Sequence, residues 1–269
     1  MTFLLGLLVS IAAAVIPTGL YAFAFYLADR YEREPVWLAA VAFFWGAIPA
    51  VVASVIGEIL LGAPLALEPG TVGAAVVESA LIAPLVEESI KGLAVYLIYR
   101  LLRREFDGVL DGLTYGALVG FGFAMTENFL YFVGAFNEGG FVDLSALILL
   151  RAVIFGLNHA FYTGLFGIGL GLARQARTDR ARRLWLGLGF GAALFTHGLH
   201  NLGASLAGVN ALGFLLSLGL AVLGFALILL ALLLAAQQER RWLQEELAAE
   251  VGVLLSADEY RDLVQRSRR

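Results

Sequence analysis

The stretch Pro84-Leu85-Val86-Glu87-Glu88-Ser89-Ile90-Lys91-Gly92-Leu93-Ala94-Val95 places three ionisable side chains inside an otherwise apolar run. With its flanks, residues 73–102 read as one membrane-crossing helix. A bilayer interior penalises each bare charge by several kcal/mol, so such groups persist there only when partnered and functional. Glu87 and Lys91 stand one helical turn apart, on one face, and Lys91 is the only lysine of the chain. The natural question is what the remaining residues bring to this spot.

The 269 residues are 60% hydrophobic and 15% charged, with a mean hydropathy of +0.84. A soluble domain carries about 25% charged residues, so this is a polytopic membrane protein, of a length that suits one helical bundle. The absence of cysteine excludes disulfides, thiolate catalysis and cysteine-based zinc sites. No basic cluster interleaved with aromatics points to nucleic acid, which leaves the lipid bilayer and membrane-borne molecules as partners. Met1 to Gly6 lacks the basic region of a signal peptide and is expected to begin a retained span.

Windows of about 20 apolar residues predict an all-α transmembrane bundle of about seven spans, near residues 3–28, 36–61, 73–102, 112–136, 151–173, 184–207 and 212–236. The third is long and is expected to tilt or break near Pro84. Residues 134–145 read as a polar turn followed by a short apolar run on the outer surface, with Arg151 as an interfacial anchor. Residues 1–236 form the membrane domain, and residues 237–269 a cytoplasmic tail of short amphipathic helices. Ser256-Ala257-Asp258-Glu259 has the form of a capping box opening the last of these. Sixteen of the 18 basic residues fall on alternate connections. By the positive-inside rule this puts the N-terminus outside and the C-terminus in the cytoplasm.

Other spans add polar groups: Glu127 and Asn128 in the fourth, Asn158 and His159 in the fifth, and His197, His200 and Asn201 in the sixth. His197 and Asn201 are four apart, hence on one face, with His200 beside them. Depth decides whether these groups meet. Glu87 lies 13 residues from Arg100, Glu127 16 from Asp111, His159 15 from Arg174 and His197 14 from Arg183. At 1.5 Å per residue these become about 20, 24, 22 and 21 Å, one level in the outer half of a core about 30 Å thick. Taken singly, the residues have plainer readings. A lone histidine or asparagine glues helices, Asn128 and Asn158 pack, Lys91 neutralises Glu87, and Glu58 and Glu78 face water at the outer ends of their spans. The adjacent carboxylates are harder to dismiss, because both cannot be charged cheaply in low dielectric, and a carboxylate so placed serves as a general base towards water.

Four motifs in this order resemble the PrsW family of intramembrane proteases and, more distantly, the CAAX-protease and bacteriocin-processing superfamily. They are Glu-Glu-x-x-Lys (Glu87, Glu88, Lys91), Phe-x-x-x-Glu-Asn (Phe123, Glu127, Asn128), His-Ala (His159, Ala160) and His-x-x-His-Asn (His197, His200, Asn201). Asp29, Glu34 and Pro35 resemble the family's first loop. The distant superfamily has histidine where Glu127 stands. The resemblance implies hydrolysis of a peptide bond in a membrane-tethered protein, such as an anti-sigma factor, by a multi-pass protein of a bacterial or archaeal plasma membrane. It leaves two chemistries open. Glu127, His159 and His197 would make a zinc site with an open position for water, with Glu87 or Glu88 as base and Lys91, Asn128 and His200 in support. Without metal the carboxylate pair would activate water, with His197 and Asn201 stabilising the oxyanion. The zinc arrangement is the working expectation. A proton- or ion-coupled secondary transporter is the competing class, since buried carboxylates and histidines also relay protons. The absence of an internal repeat and the single depth of the cluster speak against it, and cleavage of a membrane-tethered peptide would separate a protease from both the transporter and a scaffold in which these groups only glue helices.

The orientation is directly testable. Reporter fusions at Thr178 and in the tail are expected to report cytoplasm, and one at Asn137 the outside. A cytoplasmic Asn137 would also undo the depth argument.

Overall fold

The computed structural model describes residues 2–28, 33–63 and 71–266. Its elements are α1 (Thr2–Ala28), α2 (Val36–Trp45), α3 (Val51–Gly62), α4 (Val72–Val77), α5 (Ala83–Leu101), α6 (Val109–Ile148), α7 (Asn158–Gln175), α8 (Asp179–Ala207), α9 (Ala211–Ala249) and α10 (Ala257–Arg266). Among the described residues, four helical stretches are long and apolar enough to cross a membrane: Thr2–Ala28, Val36–Gly62, Val109–Gln175 and Ala211–Leu234. Helical residues 72–101 and α8 are as long, but carry the charged and polar groups described above. The outer faces of Thr2–Ala28, Val36–Gly62 and Ala211–Leu234 are apolar, as lipid requires: Leu4, Leu8, Leu20, Leu60, Leu212 and Leu215 are all exposed.

At the centre lies α6, buried on every side from Gly112 to Ala124. A helix apolar all round belongs in the middle of a bundle. Phe121 meets Phe25 of α1 edge-on at 5.3 Å, and α2, α5 and α7 close the other sides. Gly120 lets α7 come in backbone to backbone, because a Cβ there would lie 2.3 Å from the carbonyl oxygen of His159. That approach sets the position of His159 against α6.

Among the described residues, three π-helical turns interrupt the helices, at Gly46–Ala50, Glu78–Ile82 and Leu149–Ile154. Two coincide with prolines. Pro49 lies inside the first and Pro84 just after the second, and a proline has no N–H to give the preceding turn. The expected disturbance near Pro84 is therefore a widened turn within a continuous helix. In lipid a carbonyl released by such a turn needs another donor. Each turn has one: Thr126 Oγ1 donates to the Ala47 carbonyl at 2.6 Å, Asn201 Nδ2 to Ser79 at 2.8 Å, and Tyr21 Oη to Ala152 at 3.1 Å.

The chain turns back within residues 134–145, as expected, and the expectation for Arg151 is corrected. Helix α6 continues to Ile148 but reverses at Gly140, whose φ of 65° and ψ of −147° are open essentially to glycine alone. The return leg packs on the outgoing one. Phe136 meets Phe141 at 5.1 Å, and Phe132 shares a buried cluster with Leu144 and Ala152. Arg151 is thereby aimed inward at Glu127, and it is no interfacial anchor.

At the opposite end Glu34 is buried and accepts the Tyr115 hydroxyl, while Asp29 lies outside the described residues. Arg174 donates to the carbonyls of Tyr99 and Phe106. The last membrane helix, α9, runs without a break through residue 236 into the charged tail. Ser256 and Glu259 form the expected reciprocal cap of α10, and the Ser256 N–H and hydroxyl hold the Glu259 carboxyl below the usual carboxylate range.

A methyl group at residue 120 is expected to force α6 and α7 apart at a cost of about 1–3 kcal/mol. Thermal unfolding of purified protein should therefore show a lower midpoint for Gly120→Ala. Gly187→Ala, where an added Cβ meets nothing within 4 Å, should be neutral or slightly stabilising.

Candidate active site

Helix α5 presents Glu87, Glu88 and Lys91 to the bundle interior, exposed by only 5%, 1% and 0%. The Lys91 ammonium donates to Glu87 Oε2 at 3.1 Å, contacts Glu88 Oε1 at 2.5 Å and donates to His159 Nδ1 at 3.2 Å. It also lies 4.1 Å above the Phe123 ring. Glu88 is held from all sides. Its Oε1 accepts from His197 Nδ1 at 2.9 Å and its Oε2 from the Thr163 hydroxyl at 2.9 Å. Glu87 is less enclosed, with His197 Nε2 3.9 Å from its Oε2. Of the two, only Glu87 lines the cavity described below.

Helix α7 begins at Asn158, directly after the π turn and a short break, so His159 is in its first turn and faces α5 and α6. Its Nε2 donates to Glu127 Oε2 at 2.9 Å. Glu127 also takes the Arg151 guanidinium. Arg151 in turn donates from Nε to Asn128 Oδ1 at 2.8 Å and stacks 3.9 Å above Tyr131. Because Glu127 is ion-paired and accepts only, His159 carries its proton on Nε2 and turns the lone pair of Nδ1 towards the Lys91 ammonium.

The ligand atoms of Glu87, Glu88, His159 and His197 lie within 4.8 Å of one another. This cluster, which could hold an ion, differs from the set expected from the sequence. His159 and His197 belong to it, but the carboxylates are Glu87 and Glu88, and Glu127 stands behind His159 as its hydrogen-bond acceptor. Asn201 also departs from expectation, since it gives its amide N–H to the Ser79 carbonyl. His200 is 3.2 Å from the Asn158 amide and meets Phe155 edge-on at 4.8 Å. It borders the site without joining the four. Two residues that the sequence reading passed over are part of it. Arg151 had no signal beyond being a charge at a span edge. Tyr162, stacked on the His197 ring at 4.6 Å and 14°, looked like one more aromatic in an aromatic-rich chain.

Above the cluster lies a cavity of about 560 Å³, lined by Glu87, Glu127, Arg151, His159, Tyr162 and His197, with Glu58, Glu78 and Asn201 among its further walls. It is built from the ends of the helices remote from Arg100 and Arg174. Two imidazoles and two carboxylates from three helices form a donor set that zinc accepts. The residues therefore fit a metal.

Residues 34–236 match the sequence model of a family described as PrsW family intramembrane metalloprotease. The proteins named Protease PrsW of Bacillus subtilis (strain 168) and Geobacillus kaustophilus (strain HTA426) are each 31% identical to this chain, over 71% of its length. The alignments cover 80% and 77% of those two proteins. No solved structure matches. With a buried Glu/His cluster under a polar cavity, apolar outer faces and relatives of this kind, the chain belongs to the PrsW family of intramembrane proteases: it is a multi-pass membrane peptidase.

Proposed function

We propose that this peptidase hydrolyses a peptide bond of a membrane-anchored protein, of the anti-sigma-factor type, by metal-assisted attack of water from the outer face of the membrane. The observation that carries the reading is the convergence of Glu87, Glu88, His159 and His197 at the floor of the polar cavity. The cavity lies at the ends of the helices away from the basic clusters, which supports an outside N-terminus, a cytoplasmic tail beginning near residue 237, and entry of water from outside. The comparisons lend the transporter reading no support.

His159, His197 and Glu88 would hold the ion, and a bound zinc would supply a Lewis acid and an acidified water. The other residues prepare that chemistry. Glu127 and Arg151 keep His159 in one tautomer and orientation, the arrangement expected behind a metal-binding histidine. Thr163 fixes Glu88. Glu87, the carboxylate that lines the cavity, takes the proton of the attacking water and returns it to the departing nitrogen. Lys91 offsets the charge of the glutamate pair, and Asn201 clamps the π turn that leads into α5. One observation favours a metal-free, glutamic-type reaction instead: Lys91 already serves the two carboxylates and His159 as a cation.

Metal analysis beside a cleavage assay on single-span substrates separates the two. With a metal, a strong chelator abolishes cleavage, and Glu88→Gln and His159→Ala lower the metal content as well as the rate. Glu127→Gln is expected to keep most of the metal but lower the rate about 10- to 100-fold. Full activity of metal-free protein would leave only the glutamic reading.

Glu87→Gln should retain both fold and metal and lose about 10²- to 10⁴-fold in rate, the contribution of a positioned base. Activity like that of the unmodified protein would remove Glu87 from the chemistry.

A further inference from the structure

Most of the polar side chains around the cavity are already engaged with one another. Arg151 serves Glu127 and Asn128, Asn201 serves the Ser79 carbonyl, and Asn158 faces His200. Tyr162 differs. It lines the cavity, is only 1% exposed, and its hydroxyl has no hydrogen-bond partner. A serine or threonine in that position could turn back onto its own helix, but a tyrosine hydroxyl stands too far from its backbone. A buried donor left unpaired is unfavourable and calls for a partner that arrives from elsewhere. The ring cannot easily swing away to find one, because it is stacked on His197 at 4.6 Å and flanked by His159 at 5.9 Å. Its burial does not separate it from the chemistry, since Glu87 at 5% and His197 at 2% are as deeply set and line the same cavity.

We propose that Tyr162 is a catalytic residue whose hydroxyl donates a hydrogen bond to the carbonyl oxygen of the scissile peptide as that oxygen becomes an oxyanion. The inference rests on the hydrolysis proposed above. Water forms a bond to the carbonyl carbon, the carbonyl π pair moves onto oxygen, and the proton of the water passes to Glu87. The hydrogen bond from Tyr162 strengthens as negative charge develops. It relaxes when the C–O double bond reforms, the C–N bond breaks and Glu87 protonates the leaving nitrogen. A preorganised donor acts most strongly at such a point, where charge appears in a site of low dielectric.

Tyr162→Phe tests this cleanly, because phenylalanine keeps the ring and its stack on His197 and removes only the hydroxyl. Steady-state cleavage of a single-span substrate should show kcat lower by about 100- to 1,000-fold, with KM within about threefold and metal content unchanged. The melting temperature should stay the same or rise, since an unpaired buried hydroxyl is gone. A kcat within threefold of the unmodified protein overturns the proposal. So does a rate loss that follows a fall in melting temperature, which would mark the hydroxyl as structural. Failure of the unmodified protein to cleave would defeat the hydrolysis reading itself, and the role of Tyr162 with it, so the two failures are distinguishable.

Discussion

The Lys91 ammonium, fully buried between Glu87, Glu88 and His159, is the contact on which the rest of the structure depends. A helix can supply one cation and two carboxylates by itself, since the three residues are spaced by a turn. It cannot satisfy them by itself, because one ammonium does not meet the hydrogen-bonding capacity of two carboxyl groups. In low dielectric an ion pair repays its desolvation only when its remaining hydrogen-bonding capacity is met as well. The His197 N–H and the Thr163 hydroxyl meet it for Glu88, and they come from α8 and α7. The charge on α5 therefore requires two other helices at close range. The glycine at 120 and the close backbone approach it permits serve that same end.

The π turns express a second constraint, the need to satisfy every backbone group in lipid. Each of the three releases a carbonyl, and in each case a side chain from another helix takes it up. These are long-range ties and they bracket the site. The turn at Glu78–Ile82 leads into Glu87, and the turn at Leu149–Ile154 carries Arg151. A widened turn also rotates the residues that follow it relative to those before it. The irregularities of the helices are thus part of how the cluster is aimed, and Asn201 acts on the site through the backbone of one of them.

The cluster is layered. Glu87, Glu88, His159 and His197 face one another, and each imidazole is held by a carboxylate, His159 by Glu127 and His197 by Glu88. Arg151 anchors Glu127 in turn. The order of the layers matters because neither carboxylate behind an imidazole is free to move: one is ion-paired and the other receives three donors. Glu87, with fewer partners and a face on the cavity, is the member left able to change its proton.

Much of this could be read from the chain alone. Depth in a membrane helix follows from a fixed rise of 1.5 Å per residue, and counting from the expected cytoplasmic ends put Glu87, Glu127, His159 and His197 at one level. The bundle class followed from composition, the family from the resemblance of four motifs to a known one, and three of the four clustered side chains were brought to one level by spacing, with Glu88 beside them. What the residue count along an axis does not carry is direction around it. Each residue turns the helix by about 100°, and a π turn or a reversal at Gly140 resets that angle by an amount set by packing against neighbours. Whether Glu127 stands among the four or behind His159, whether Asn201 points at a substrate or at the Ser79 carbonyl, and whether Arg151 reaches lipid or Glu127 are all questions of angle. So is the placing of Tyr162 flat against His197. Level was written in the sequence because it is a property of one helix; partnership was decided by the tertiary structure, because it is a property of several.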